Sequence, residues 1–401
     1  MEEWIKYRAI DFCASVTDGT HDSPKPKENG HYLITSKHLR NNSIDFSSAY
    51  KISEEDYQKV IQRSQVVQYD ILFSMIGTIG NTVRVTTPFV DFAVKNMAIF
   101  KMGGNELKSK WLYYWLQSDI AKEYISSRLA GSTQSYLTLD SLRSFPVFAP
   151  SEKTMTKIVD ILTSIDSKIE TNNRINHNLE EQAQALYKSW FIDFEPFKGG
   201  KFVDSGLGLI PEGWHVGTLS EIADITMGQS PSGSSFNEDG RGIVFYQGRT
   251  EFGFRFPLIK LFTTEPTRYA EPHSVLMSVR APVGDINVAL VKCCIGRGLA
   301  AITAKYNAYS FVLYTLKGKS SELDLYNGEG TVFGSINRKD LERLSVLIPP
   351  KSIIQRFNDC IKPIDDSIEI ACKEIVSLSY SRDSLLPKLM SGQLTFDALD
   401  C

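Results

Sequence analysis

IDSKIE at Ile165–Glu170 and IDDSIE at Ile364–Glu369 are near copies of one hexapeptide, 199 positions apart in a chain of 401 residues. The same offset sets Gly131 on Gly330, Leu142 on Leu341, Val147 on Val346 and Pro150 on Pro349. It continues without a gap through Asp160 on Asp359, Leu179 on Leu378 and Leu186 on Leu385. A second, weaker match lies earlier, at a slightly different offset. There ILFSMIGTIGN (Ile71–Asn81) parallels VLMSVRAPVGD (Val275–Asp285), with Ser74 on Ser278 and Gly80 on Gly284. Trp4 and Trp214, each preceding an apolar pattern, link the openings of the two halves. Three matches in one order indicate a duplication, and a repeat constrains the fold before any local reading does.

Around the hexapeptide the apolar pattern has a period. Ile158, Leu162, Ile165, Ile169, Asn172, Asn176, Leu179, Ala183, Leu186 and Trp190 alternate spacings of four and three. That is the heptad seam of a long packed helix. The second copy gives Phe357, Ile361, Ile364, Ile368, Ala371, Ile375, Leu378, Arg382, Leu385 and Leu389, with one basic interruption. Common register over the whole series favours two equivalent helices packed on each other over two unrelated amphipathic helices. Asn172 and Asn176 either fix register within the seam, at a cost in stability, or mark a solvated, loosened midpoint.

The remaining chain forms two lobes of another texture, residues 1–150 and 196–350. Short strand-like runs (VVQYDILFSMI, IVFYQGRT, HSVLMSVR, LSVLIPP) are broken by Gly, Pro, Asn and Asp. Each lobe also holds helix, as in Lys108–Ser127. The order is lobe, helix (151–195), lobe entered through the linker Phe194–Trp214, then helix and tail (351–401). Pro and Gly of the linker end the first helix, and Pro387 is expected to end the second. Net charge is −3 overall. The lobes hold 17 Lys+Arg against 16 Asp+Glu and 16 against 15, the helix segments 5 against 8 and 6 against 8. Mildly positive lobes permit, without requiring, a basic face for nucleic acid.

Signatures of chemistry are missing. Lys317–Ser320 lacks the upstream glycine of a P-loop, and no Asn/Asp-Pro-Pro-Tyr/Phe of amino-methyltransferases and no G-x-G-x-x-G appear. His21, His31 and His38 form a loose cluster without carboxylate or cysteine spacing for a metal, so surface or hydrogen-bonding roles are expected. The six cysteines hold no Cys-x-x-Cys, which suits a reducing cytosol, and Cys293-Cys294 reads as packing. MEEWIKYRAI lacks the layout of a signal peptide, and no apolar run approaches the ~20 residues of a membrane span. A cytoplasmic, non-catalytic protein is expected.

With the motifs in order, the whole chain resembles the specificity subunits of type I restriction-modification systems. The matches are VTDGTHDSPKP (Val16–Pro26), YLITSKHL (Tyr32–Leu39) and DILFSMIGTIGN (Asp70–Asn81), then IDSKIETNNRIN (Ile165–Asn176) and LYKSWFIDFEPF (Leu186–Phe197). IPEGW (Ile210–Trp214), LIPP (Leu347–Pro350) and LLPKLMSGQL (Leu385–Leu394) complete them. The resemblance implies an α+β chain in which two mixed α/β target-recognition lobes alternate with two long helices. The helices pair as an antiparallel coiled coil, giving an internal pseudo-twofold repeat. Lobe two departs from lobe one where Arg280-Ala281-Pro282 replaces Ile76-Gly77-Thr78, as expected if the lobes read different bases.

Further expectations follow from that reading. A seam of about 33 residues at ~1.5 Å each spans about 50 Å, or roughly 14 base pairs at ~3.4 Å. The target should be two unlike blocks with a fixed, unread gap. Candidate base readers are Lys37, Arg40, Thr78, Thr133 and Gln134 in lobe one, and Gln247, Arg249, Arg280, Arg297, Asn337 and Arg338 in lobe two. Arg suits guanine, and Gln or Asn suits adenine; the alternative for each is a solvated residue or a phosphate contact. Lys25 and Lys27 suit phosphate. Off the seam, Ile161, Ile175, Phe191, Val376, Tyr380 and Met390 form either a second docking surface or contacts to the chain's own lobes. The resemblance names the occupants: two methyltransferase subunits, which hold S-adenosylmethionine and flip the adenine, and translocating nuclease subunits; ATP and Mg are likewise expected on partners. A rival is a non-catalytic coiled-coil adaptor whose lobes bind proteins.

Overall fold

The computed structural model describes residues 4–40, 42–130, 135–328 and 334–394. Two 40-residue helices, Glu152–Phe191 and Lys351–Met390, dominate the chain, each about 60 Å long. The chain divides into two compact units, Met1–Ser167 with Leu378–Cys401, and Lys168–Ser377, so each unit contains part of both helices. All twenty seam positions are buried or half-buried, as the 4–3 spacing requires of one helix face.

In unit 1, strands β1 (Ser15–Asp18), β2 (Ile71–Ser74), β3 (Thr82–Arg84) and β4 (Met97–Lys101) form an antiparallel sheet of order β1-β4-β2-β3. Strand β2 is buried at every position, because both faces of this sheet are covered. Side chains alternate across a strand, so Ile71, Phe73, Ala98 and Phe100 enter one core with Trp111 and Trp115. Leu72, Met97 and Ile99 enter another. The second core lies towards a small sheet in which His31–Ile34 runs parallel to Phe92–Val94. Ile5–Arg8 pairs with Pro146–Ala149, and Trp4 meets Trp111 edge-on at 5.4 Å between ring centroids.

Unit 2 repeats the strand order. Strands β5 (Ala223–Met227), β6 (Val275–Ser278), β7 (Ile286–Val288) and β8 (Leu299–Ala304) form an antiparallel sheet β5-β8-β6-β7. Val275, Met277, Ala300 and Ile302 face one core, Leu276, Leu299 and Ala301 another. Beside it Ile243–Tyr246 runs parallel to Cys293–Ile295, and His215–Thr218 pairs with Ser345–Ile348. The linker forms a hairpin, Phe202–Ser205 with Gly208–Pro211.

Three expectations are corrected. Pro387 does not end the second helix, which continues to Met390. A helical proline costs ~3 kcal/mol, and burying a large apolar side chain gains ~1.5–3 kcal/mol. Leu386, Leu389 and Met390 are all buried in unit 1, so their burial offsets the proline. For the same reason Met390, 1% exposed, is core and offers no docking surface. Phe191 likewise is buried in unit 2, with ring centroids 4.8 Å from Phe357, 5.0 Å from Phe311 and 5.8 Å from Trp214. Ile161 is half-buried against the unit 1 core. Ile175, Val376 and Tyr380 stand exposed, Tyr380 at 77%.

The seam polar residues are buried within unit 2, so a solvated midpoint is not what forms. Asn172 Nδ2 donates to Glu374 Oε2 at 2.8 Å, and Asn176 Nδ2 donates to Cys372 Sγ at 3.5 Å. In unit 1 the basic interruption Arg382 donates to Asp166 at 3.0 Å. Among the described residues no helix is long and apolar enough to cross a membrane.

Candidate nucleic-acid interface

Both units carry a short 3₁₀ turn directly after the parallel-paired strand. In unit 1 the turn is Ser36–His38. Its buried His38 Nδ1 accepts from the Thr35 backbone N–H at 2.9 Å, which fixes the turn and leaves Lys37 and Arg40 exposed. Arg40 Nε donates to the Lys37 carbonyl at 3.3 Å. Across from it, Asn81 closes the β2–β3 turn and donates to the Leu39 carbonyl at 3.0 Å. Thr78 stands exposed at the tip of that turn. Arg40 and Asn81 line a concavity of 120 Å³ with Leu39, Gly80, Thr82 and Gln117, and the Thr78 carbonyl accepts from Asn81 N–H at 3.3 Å. Thr133 and Gln134 lie outside the described residues.

In unit 2 the corresponding turn is Arg249–Glu251, preceded by exposed Gln247. Arg249 forms an ion pair with Asp285, which closes the β6–β7 turn as Asn81 closes its counterpart. A Cβ on Gly296 would stand 2.7 Å from the Gln247 carbonyl oxygen, so the close approach of these two segments needs glycine. Between Gly296 and Gly298, Arg297 is exposed, and its backbone N–H donates to Ser230 Oγ at 3.3 Å. The Gly298 carbonyl accepts from Val279 N–H at 2.9 Å, and the next residue, exposed Arg280, bridges Ser335. Gln247, Arg249, Arg280 and Arg297 thus converge on one cluster of loops.

Asn337 and Arg338 have other partners. Asn337 is the N-cap of helix Arg338–Glu342, accepting from Asp340 N–H at 3.0 Å and donating to Asp340 Oδ2 at 2.6 Å. Arg338 Nε donates to Glu342 at 2.7 Å. Thr138 caps the equivalent helix in unit 1, so Asn337 has a structural task before any contact with bases.

The histidines are hydrogen-bonded. His31 lies between Asp91 and Glu54, with Nε2 2.5 Å from Glu54. His21 lies 2.9 Å from both Asp18 and Asn96. Among the described residues no group of three or more His, Cys, Asp or Glu is placed to hold a metal. Cys293 and Cys294 are buried in strand Cys293–Ile295, and burial pushes the Cys293 thiol up to about 12.

Sequence reading missed two kinds of residue. Asn81 and Asp285 were visible as aligned turn residues, but nothing in the pattern reveals which loops they hold. Arg255, only 2% exposed, gave no signal. Its Nη1 donates to Asp365 at 2.7 Å and its Nη2 to the Tyr314 hydroxyl at 2.8 Å, and it also pairs with Glu180. Burial opposes ionisation of Glu180, but Arg255 and Lys317 hold its carboxyl below the ordinary value.

The type I restriction modification DNA specificity domain matches residues 1–181 and 211–379. The MjaX type I restriction enzyme specificity subunit of Methanocaldococcus jannaschii is 30% identical, over 98% of this chain and 94% of that protein. The HindI specificity subunit of Haemophilus influenzae is 24% identical, over 81% of this chain and 86% of its own length. The crystal structure of the type I restriction-modification S subunit from M. genitalium covers 97% of this chain and 96% of its own at TM-score 0.61, with 16% identity. That likeness speaks to the fold.

Proposed function

This chain belongs to the type I restriction-modification DNA specificity family, and on that premise we propose that it reads a bipartite, asymmetric DNA target, one block per lobe. The observation that carries the reading is the matched pair of loop clusters. Each follows a parallel-paired strand, closes against a hairpin turn and exposes basic side chains: Lys37 and Arg40 in one, Arg249, Arg280 and Arg297 in the other. Arginine can bond guanine bidentately in the major groove, and Gln247 can bond adenine. Lysine and any arginine that faces the backbone supply sequence-independent, salt-sensitive affinity. Because the clusters differ in composition, the two blocks should be unlike.

The two long helices pair as an antiparallel coiled coil in this reading, and the division is lobe (1–150), helix (151–195), linker and lobe (196–350), helix and tail (351–401). Contacts inside unit 2 support the pairing, since residue numbers run oppositely along the two helices: Asn172 meets Glu374, and Asn176 meets Cys372. The constant helix length keeps the unread gap fixed. Exposed Ile175, Val376 and Tyr380, with half-buried Ile161, are the apolar positions left for docking partners. The partners are two methyltransferase subunits, which carry S-adenosylmethionine, and restriction subunits, which carry ATP and Mg. A duplicated chain offers the same partner two equivalent faces. The chain acts in the cytoplasm, and its own contribution is sequence selection.

Methylome sequencing tests the reading. A host expressing this chain with its cognate methyltransferase subunit should gain one methyl-adenine motif of two unlike blocks with a constant gap. A soluble complex that adds no motif would favour the protein-binding adaptor.

A further inference from the structure

Among the described residues, the most heavily buried charged cluster in unit 2 contains no candidate reading residue, yet contacts lead from it to Arg249. Arg255 sits on the loop Gly253–Phe256. Its guanidinium reaches Glu180 on the first long helix and Asp365 on the second, with Tyr314 alongside. Lys317 pairs with Glu180, Ser310 Oγ donates to Asp365 Oδ2 at 2.6 Å, and the Tyr314 hydroxyl donates to Asp365 Oδ1 at 3.1 Å. Two cations thus face two anions, and each carboxylate has a second donor.

From the same loop, contacts run outwards. Gly253 N–H donates to Asn287 Oδ1 at 3.1 Å, and Asn287 Nδ2 donates back to the Gly253 carbonyl at 3.0 Å. The Arg255 carbonyl accepts from Val288 N–H at 2.9 Å. Asn287 and Val288 belong to β7, and Asp285, two residues before Asn287, holds Arg249. Helices, Arg255, β7 and the Arg249 turn form one connected series.

We propose that Arg255 is a positioning residue that holds the reading loops of unit 2 in fixed orientation on the two long helices. The planar, forked guanidinium suits the task, because it can bond two carboxylates on different helices at once. Lysine supplies the charge without the fork. Unit 1 is built otherwise. There Asp166, the counterpart of Asp365, accepts from Tyr114 at 2.7 Å, as Asp365 accepts from Tyr314. Its guanidinium partner is Arg382, which comes from the second long helix and not from a lobe loop. The partners of Arg255 named above, Glu180, Tyr314 and Asp365, all belong to unit 2, so its loss should act on one block only.

The proposal rests on the reading of a two-block target, and the experiment separates the two. Methylomes are compared for the wild-type chain, Arg255→Met and Arg255→Lys, each with the cognate methyltransferase subunit. Failure of the wild type to give two blocks sinks the functional reading itself. Given two blocks, Arg255→Met should raise methylation of sites mismatched in one block by roughly tenfold, the scale of a single base-pair penalty. The other block should keep wild-type stringency, and Arg255→Lys should fall between. Asp365 keeps Ser310 and Tyr314, and Glu180 keeps Lys317, so the methionine variant retains partners for both acids. Should it nonetheless fail to fold, the lysine variant decides by the same one-block criterion. Unchanged stringency in folded variants, or equal loosening of both blocks, overturns the proposal.

Discussion

His31 is a single side chain whose surroundings set a pH dependence. It stacks on Tyr57 with ring centroids 3.8 Å apart and planes 11° off parallel, between Asp91 and Glu54. Burial opposes its protonation, but hydrogen bonds to Glu54 and Asp91 prevail and raise its pKa. A raised folded value means that the proton stabilises the fold. The contribution is complete below the ordinary value near 6.5 and is lost as pH rises through the higher folded value. Thermal unfolding of the wild type should therefore show a loss of stability as pH rises above about 6.5, beyond what His31→Gln shows over the same range. Equal slopes in the two proteins would refute the assignment. Asn176 makes a second residue-scale case. It is fully buried, its Nδ2 finds only a sulfur at 3.5 Å, and its Oδ1 has no hydrogen-bond partner. Asn176→Leu should raise stability by about 1 kcal/mol in chemical denaturation; a lowered midpoint would mean that the amide contributes more than its geometry indicates. Neither outcome was legible in the sequence. The partners of His31 lie 23 and 60 positions away, and heptad spacing marks Asn176 as inward without stating what it meets.

The long helices were the most legible elements, because a 4–3 period over ten positions has one physical solution, a continuous buried face. Their ends were not. Phe191 and Met390 fall off the seam, and periodicity identifies the face turned to another helix, not the residues that a lobe covers. Met155, Ile158 and Leu162 of the first helix, with Leu386, Leu389 and Met390 of the second, belong to the core of unit 1, and Trp190 and Phe191, with Ile354 and Phe357, to that of unit 2, so burial there extends around more of the helix circumference. Two substitutions separate these environments. Phe191→Ala removes a ring packed against Phe357 and Phe311 and should cost about 3–5 kcal/mol in equilibrium unfolding. Tyr380→Ser, at a position 77% exposed, should change stability of the free chain by less than ~0.5 kcal/mol while weakening capture of the methyltransferase subunit. If Tyr380→Ser unfolds the chain while partner binding survives in the folded fraction, the exposed stripe is structural. The loop clusters were legible in composition only. Basic residues near glycines were identified, but pairing of Arg249 with Asp285 and the capping task of Asn337 depend on turns whose geometry the sequence does not state.

Across the whole molecule the net charge of −3 conceals lobes that are each positive by one. Binding to DNA therefore depends on local clusters, and its salt dependence should count them. Each phosphate contact contributes a slope of about 0.9 in a plot of log affinity against log salt concentration. Replacing Lys37 and Arg40 together by alanine in the assembled complex should lower that slope by about one to two units, measured by fluorescence anisotropy on non-specific duplex. An unaltered slope would remove both from the interface. A different consequence follows from the discontinuity of unit 1. Its core needs Leu386, Leu389 and Met390 beside Trp111 and Phe100, yet the whole of Lys168–Ser377 lies between these parts in the chain. On the ribosome the earliest core waits for some of the latest residues. At roughly 5–20 residues per second the delay is about 10–40 s. For that time the apolar face that the second helix will cover stays open while the middle of the chain completes a unit of its own. The rate of translation, and any chaperone that holds the nascent chain, therefore bear on how much of this protein reaches its folded form.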